Sequence, residues 1–324
     1  MILAGDLGGT KTLLGLFERA DPRPQPVIAR GYPTQEFDSF TAILDVFARD
    51  VGTPLAIEAA AVGVAGPIVD QHARLTNILW DVSATQIGNH LHVRGVALLN
   101  DLEAMATSVA LLNGDELVPL QRGDPNPSGN AAVIAAGTGL GQAYLHRVNG
   151  RLLPVPSEAG HADFAARTDR EFELVRMLRD LYGRAEVEQV LSGPGLVNIH
   201  RLTHAGRSCA SVDGVAPAEQ PAAISEAALS QQCSGCVEAL EMFVEAYGAE
   251  AGNLALRGVA TAGVYIGGGI APKILSALQN GRFIRAFRAK APMADLVAAM
   301  PVSVIVKQDA GLLGAAIAAQ QLIP

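Results

Sequence analysis

Two alternating rhythms of apolar and polar positions run along the 324 residues. Ile2-Leu3-Ala4 and residues 12–17 are apolar runs on either side of a tight glycine turn, the pattern of a hairpin. Residues 40–51 place Phe40, Ile43, Leu44, Phe47 and Val51 at helical spacing after Ser39, a candidate N-cap. Continuous apolar runs at 59–65, 96–99 and 131–136, each bounded by turn residues, predict buried strands. Residues 170–182 and 236–247 predict helices, and 252–260 predicts a separate helix of small residues leading into a strand at 264–266. A late strand at 301–306 and an Ala/Leu helix over 311–322 follow. Two polar, Pro/Gly-rich stretches interrupt this order: 121–130, expected to mark a boundary near the end of a first domain, and 205–220, expected to be a surface segment. The unit of apolar strand plus glycine turn at 2–9 returns at 133–141. The expectation is therefore a duplicated, two-domain α/β architecture with its ligand in the cleft.

Composition narrows the classes. Nearly half the residues (49%) are apolar and 17% are charged, enough for a sizeable core and against global disorder. The net charge of -8 argues against non-specific binding to nucleic acid or to anionic membrane. A nucleotide can still be held locally by backbone N–H groups. The most hydrophobic stretch, 254–272, is broken by Arg257 and rich in Gly, so no membrane span is expected. Met1 to Asp6 lacks a basic region and reads as a first strand, so no signal peptide is expected. Three cysteines fit a reducing compartment, and a cytoplasmic location follows as an expectation.

Four constellations carry candidate chemistry. In Gly5-Asp6-Leu7-Gly8-Gly9-Thr10-Lys11, the glycines can take positive φ and shed side chains, so that backbone N–H groups converge on a phosphate. Thr10 separates Gly9 from Lys11, which rules out a Walker A loop. Gly137-Thr138-Gly139-Leu140-Gly141 follows an apolar strand. A dinucleotide-binding fingerprint is its rival reading; Gln142 stands where that pattern wants a small residue, although Glu158 lies at a suitable distance. Asn100-Asp101 sits at the carboxyl end of the 96–99 run, where α/β sites collect, although such a pair is more often a helix N-cap. Glu158-Ala159-Gly160-His161, with Glu188 before Ser192-Gly193-Pro194-Gly195, is the fourth; as a metal site it shows only two ligands, Glu158 and His161.

Together these motifs resemble the bacterial glucokinase family, within the actin/hexokinase-like superfamily of sugar kinases. The resemblance runs nearly end to end. It adds Gly63-Val64-Ala65-Gly66-Pro67, Thr76-Asn77, Trp80, Leu191 to Leu196 and Gly267-Gly268-Gly269-Ile270 to the motifs above. It implies an α/β, two-domain actin/hexokinase-like (duplicated ribonuclease H-like) fold with a ligand cleft between domains, divided as 1–110 plus 310–324 against 111–309. It also implies phosphoryl transfer from ATP to the 6-hydroxyl of glucose. Gly5, Asp6, Leu7, Gly8, Gly9 and Thr10 would clasp the phosphates with Gly137, Thr138 and Gly139, and Gly268 and Gly269 would lie by the adenosine. Asn100, Asp101, Glu158, His161 and Glu188 would hold the sugar, with Asp101 as the base. Mg²⁺ would be held by the phosphates, with Asp6 an outer contact, and a homodimer is the family expectation. Ionised carboxylates are strong acceptors for sugar hydroxyls, and Asp101 needs no raised pKa to be ionised at neutral pH.

A related branch of sugar kinases and repressors carries a structural zinc held by cysteines soon after its Glu-x-Gly-His. Residues 162–176 contain no cysteine, so the chain resembles the zinc-free glucokinases, with no metal expected on the protein. Cys233-Ser234-Gly235-Cys236, Cys209, His200 and His204 lie elsewhere and read as plain thiols and histidines before a zinc site. The alternatives are a kinase for mannose or fructose, a kinase using polyphosphate, and a non-catalytic sugar sensor. An intact Asp101 and two phosphate loops argue against the last.

Overall fold

The computed structural model describes residues 1–52, 56–75, 78 and 80–323. The chain forms two compact units, Met1–Asn113 with Lys307–Pro324, and Gly114–Val306.

The first unit is built on a five-stranded sheet. Its strands are β1 (Ile2–Leu7), β2 (Lys11–Glu18), β3 (Gln25–Pro33), β4 (Ala59–Val64) and β5 (Gly95–Asn100), in the order β3-β2-β1-β4-β5. β1 pairs antiparallel with β2 through the glycine turn and parallel with β4. β1 and β4 are buried along almost their whole length, which is why both read as unbroken apolar runs. Helix α1 (Phe40–Val51) starts where Ser39 accepts the Ala42 N–H and ends at Gly52, whose φ of 74° is the left-handed cap. Helix α2 (Asp101–Ser108) leaves the carboxyl end of β5. The C-terminal helix Ala310–Gln321 is apolar all round and almost wholly buried against α2 and β1.

The second unit repeats the strand order with one addition. Its strands are β6 (Leu117–Gln121), β7 (Ala131–Ala136), β8 (Leu140–Val148), β9 (Arg151–Ser157), β10 (Gly263–Gly267) and β11 (Val302–Ile305), in the order β9-β8-β7-β10-β11-β6. As in the first sheet, the opening strand pairs antiparallel through a glycine turn and parallel with a later strand. The repeat visible at 2–9 and 133–141 is thus the same topological unit used twice. Helices α3 (Asp169–Tyr182), α4 (Gly193–His204), α5 (Gln220–Leu229), α6 (Ser234–Gly258) and α7 (Arg282–Arg288) belong to the core of this unit.

Three expectations are corrected. Residues 236–247 and 252–260 are not two helices, because α6 runs unbroken for 25 residues. Gly248 and Gly252 lie inside it to admit α7: a Cβ at Gly248 would collide with the Phe283 carbonyl, and one at Gly252 would lie 2.6 Å from the Phe287 carbonyl. Residues 121–130 do not end the first unit, whose chain leaves at Asn113; they join β6 to β7 inside the second. Residues 205–220 are not wholly at the surface, since Cys209 and Val212 are buried in the core.

Candidate active site

The first glycine turn is closed by the Gly8 N–H, which donates to the Lys11 carbonyl at 3.1 Å. Thr34 braces it: its N–H donates to the Thr10 carbonyl at 2.9 Å and its hydroxyl to the Gly8 carbonyl at 2.8 Å. The Thr12 hydroxyl lies 2.8 Å from that of Thr34, with both side chains buried. No motif marks Thr34, so sequence reasoning missed it. Gly8 is needed for its missing Cβ, which would lie 3.0 Å from the Lys11 carbonyl oxygen, and not for positive φ as expected. Gly5 is packed the same way, 3.0 Å from Val62. Thr10 and Lys11 are exposed.

Asn100 does cap α2. Its Oδ1 accepts the Leu102 N–H at 3.0 Å, and Glu103 completes a capping box. Its Nδ2 donates to the Gly66 carbonyl at 3.1 Å. The cap and the functional reading are compatible, because the cap fixes Asp101 as the first helical residue, exposed, with Oδ1 accepting the Leu102 N–H at 2.8 Å. Asp6 is pushed up to about 6, first by burial and then by the charge of Asp101. It also lies beside the start of the C-terminal helix, where a Cβ on Gly311 would be 3.0 Å from its Oδ2. A positive helix end and a repelled carboxylate pair together favour a bound cation or phosphate.

In the second unit, the Gly137 N–H donates to the Gly139 carbonyl at 2.8 Å, and the Gly193 N–H at the start of α4 donates to the Gly137 carbonyl at 2.8 Å. The turn leads into the antiparallel strand β8, not into a helix, which removes the dinucleotide-fingerprint reading. Glu188 closes on this turn. Its Oε2 accepts the Leu140 N–H at 2.8 Å and would lie 2.7 Å from a Cβ on Gly139. Gly160 is pressed against the Leu140 carbonyl, and its own carbonyl accepts the Glu188 N–H at 2.8 Å. The Glu-x-Gly-His turn, Glu188 and the second glycine turn are therefore one interlocked piece.

His161, Glu186 and Glu188 bring their ligand atoms within 4.8 Å of one another. Glu186, 3.3 Å from His161 Nδ1, was not foreseen, and it and Glu188, not Glu158, are the carboxylates gathered at His161. Glu158 shares the same turn, exposed, with its carboxylate making no hydrogen bond among the described residues. Asp6, Asn100 and Asp101 gather in the first unit, and Glu158, His161 and Glu188 in the second. Thr76 and Asn77 lie outside the described residues.

A cavity of about 1110 Å³ opens in the second unit beside Gly137 and Thr138. Ile270 lines it, whereas Gly268 and Gly269 do not. Gly268 has a φ of 83° and no room for a Cβ against the Ala136 carbonyl. Asn198 and Arg201 of α4 and Lys273 also line the cavity, and no local sequence pattern singled them out. Size, apolar walls and a few polar groups suit a nucleoside.

The family model described as glucokinase matches residues 3–322. The glucokinase of Nostoc punctiforme is 37% identical over 99% of both chains. A solved glucokinase from an Antarctic psychrotroph superposes with a TM-score of 0.88 at 29% identity, covering 99% of this chain and 98% of that one. At 20% identity, a ROK family glucokinase from Streptomyces griseus, solved with glucose and AMPPNP, shares the fold with a TM-score of 0.66, covering 99% of both chains. The architecture is that of the actin/hexokinase-like sugar kinases. Among the described residues no helix is long and apolar enough to cross a membrane.

Proposed function

Because the chain belongs to the glucokinase family, we propose that it transfers the γ-phosphoryl group of ATP to the 6-hydroxyl of D-glucose, giving glucose 6-phosphate and ADP. The observation that carries this reading is the placement of Asp101. It is exposed on the first turn of α2, and its charge reaches the half-buried Asp6. In this reading Asp101 accepts the proton of the 6-hydroxyl as the oxygen bonds to the γ-phosphorus. The bond from that phosphorus to the β–γ bridging oxygen breaks, and ADP leaves with the electron pair. Phosphoryl transfer of this kind depends mainly on positioning and on charge neutralisation.

Asn100, Glu158, His161 and Glu188 hold the sugar hydroxyls. The turns Gly5–Thr10 and Gly137–Gly139 offer backbone N–H groups to the phosphates, and the cavity beside Gly137 takes the adenosine. Mg²⁺ held by the nucleotide phosphates would supply neutralisation of their charge, with Asp6 as an outer contact. The reading places the enzyme in the cytoplasm, as a homodimer. Glucose-dependent release of ADP, measured across glucose, mannose and fructose and with ATP or polyphosphate as donor, tests it. Preference for glucose and ATP supports the assignment, and turnover only with another sugar or donor overturns it.

A further inference from the structure

Cys209 lies 24 residues before Cys233 of the Cys233-Ser234-Gly235-Cys236 turn, yet the fold gathers all three thiols. Cys209 Sγ lies 3.6 Å from Cys236 Sγ and 3.8 Å from Cys233 Sγ. His204 Nε2 lies 3.3 Å from Cys233 Sγ. His200, His204, Cys209 and Cys236 bring their ligand atoms within 4.8 Å of one another. All three thiols are free, and none is at disulfide distance.

These separations match the edges of a small tetrahedron. A zinc ion about 2.3 Å from each of two thiolates sets the sulfurs roughly 3.8 Å apart, and a histidine nitrogen at about 2.0 Å sits roughly 3.5 Å from each sulfur. The histidine is oriented for the task. His204 Nδ1 lies 3.0 Å from the His200 carbonyl, an acceptor that fixes the proton on Nδ1 and leaves Nε2 as a lone pair facing the sulfurs. Thr203 supports the same corner, its hydroxyl 2.8 Å from the Gly235 carbonyl. Gly235, inside the Cys-x-x-Cys turn, clears space for the ring: a Cβ there would lie 2.6 Å from His204 Cε1 and 2.8 Å from Nε2. Cys233 is the N-cap residue of α6, and Cys236 lies in its first turn. His200 stacks on His204 with ring centroids 3.8 Å apart, and its buried Nε2 has no partner among the described residues. His204, Cys209 and Cys236 are buried.

We propose that Cys209, Cys233, Cys236 and His204 form a closed structural site for a thiophilic divalent cation, zinc by its chemistry, with His200 as the stacked outer support. Loading the site displaces the three thiol protons to solvent and leaves the imidazole neutral. The ion ties the end of α4, the segment after it and the start of α6 into one corner. It shares no residue with the phosphoryl-transfer groups, and it lies far in sequence from the segment after Glu158-Ala159-Gly160-His161.

The test uses the full-length protein, purified without chelator or metal-affinity resin and analysed by elemental mass spectrometry. About one zinc per chain is expected, released when a mercurial titrates the thiols. Replacement with Co²⁺ is expected to give thiolate-to-cobalt charge transfer and the ligand-field bands of a tetrahedral ion, both lost in Cys233→Ser. The cobalt spectrum of the unaltered chain decides the matter even if that variant fails to fold. Substoichiometric metal with no cobalt–thiolate band, or a Cys209–Cys236 disulfide in the non-reduced protein, overturns the proposal.

Discussion

Glu188 Oε2 accepts the Leu140 backbone N–H at 2.8 Å, so one carboxylate joins the sugar-side turn to the second glycine turn. Replacing it with the isosteric amide keeps an acceptor and removes the charge. Charged hydrogen bonds exceed neutral ones by about 1 kcal/mol, or roughly fivefold in affinity. Glu188→Gln is expected to raise KM for ATP by about that factor as well as raising KM for glucose. Steady-state kinetics with each substrate varied in turn measures both; an ATP KM left at the wild-type value would separate Glu188 from the nucleotide.

Glu158 and His161 belong to the same turn but make no bond to the glycine loop. Glu158→Gln, which keeps an acceptor and loses the charge, is expected to raise KM for glucose by roughly fivefold, and His161→Ala, which loses a hydrogen bond outright, by about two- to tenfold. The ATP value should move far less. Equal changes for both substrates would assign the turn a purely architectural role.

Asp6 predicts an unusual pH dependence of stability. Its folded pKa of about 6 lies above the ordinary value of 3.8. Below the ordinary value the group is protonated in both states and contributes nothing to the difference. Between the two values the folded chain binds the extra proton, so stability falls as pH rises. Above the folded value the full cost stands, on the order of 3 kcal/mol. Asp6→Asn is therefore expected to unfold at higher denaturant than wild type at pH 8, with the gap closing at pH 4, while turnover drops sharply. A pH-independent difference would remove the carboxyl's charge as the cause.

Gly314 lets the C-terminal helix lie against α2, where a Cβ would collide with the Ala104 carbonyl. Gly314→Ala is expected to cost at least about 1–3 kcal/mol by overpacking and to lower kcat by displacing the helix that carries Asp101. Gly114→Ala, with open space around its Cβ, should stay within about 0.5 kcal/mol of wild type. Urea denaturation of the pair measures the contrast.

Much of this was legible in the sequence for an identifiable physical reason. β1, β4 and β7 are buried on both faces and announce themselves as apolar runs, while α1 carries both a periodic face and a Ser39 cap. Asp6 lies within the first of these runs, Gly137 follows the third directly, and Asp101 opens α2 at the end of β5. What stayed hidden depends on contacts between distant segments. Thr34 braces the first turn from 24 positions beyond Thr10, and Glu186 reaches His161 across 25. The edge strand β3 is largely exposed and shows no apolar alternation. The continuity of α6 through residues 248–252 stayed hidden because Gly248 and Gly252 serve the α7 backbone, 35 residues further along. The thiol cluster was weighed against plain thiols and set aside for the same reason, since Cys209 sits in a polar stretch that looks like surface.

The most direct test of the account follows the phosphoryl group itself. ³¹P NMR of a reaction containing glucose, ATP and Mg²⁺ is expected to show the γ-phosphoryl signal replaced by glucose 6-phosphate, one for each ADP formed. Asp101→Asn should bind glucose nearly as wild type does by calorimetry while forming product roughly 10²–10⁴ times more slowly. A sugar phosphorylated elsewhere than oxygen 6, ADP released without sugar phosphate, or an Asp101→Asn rate within about tenfold of wild type would contradict it.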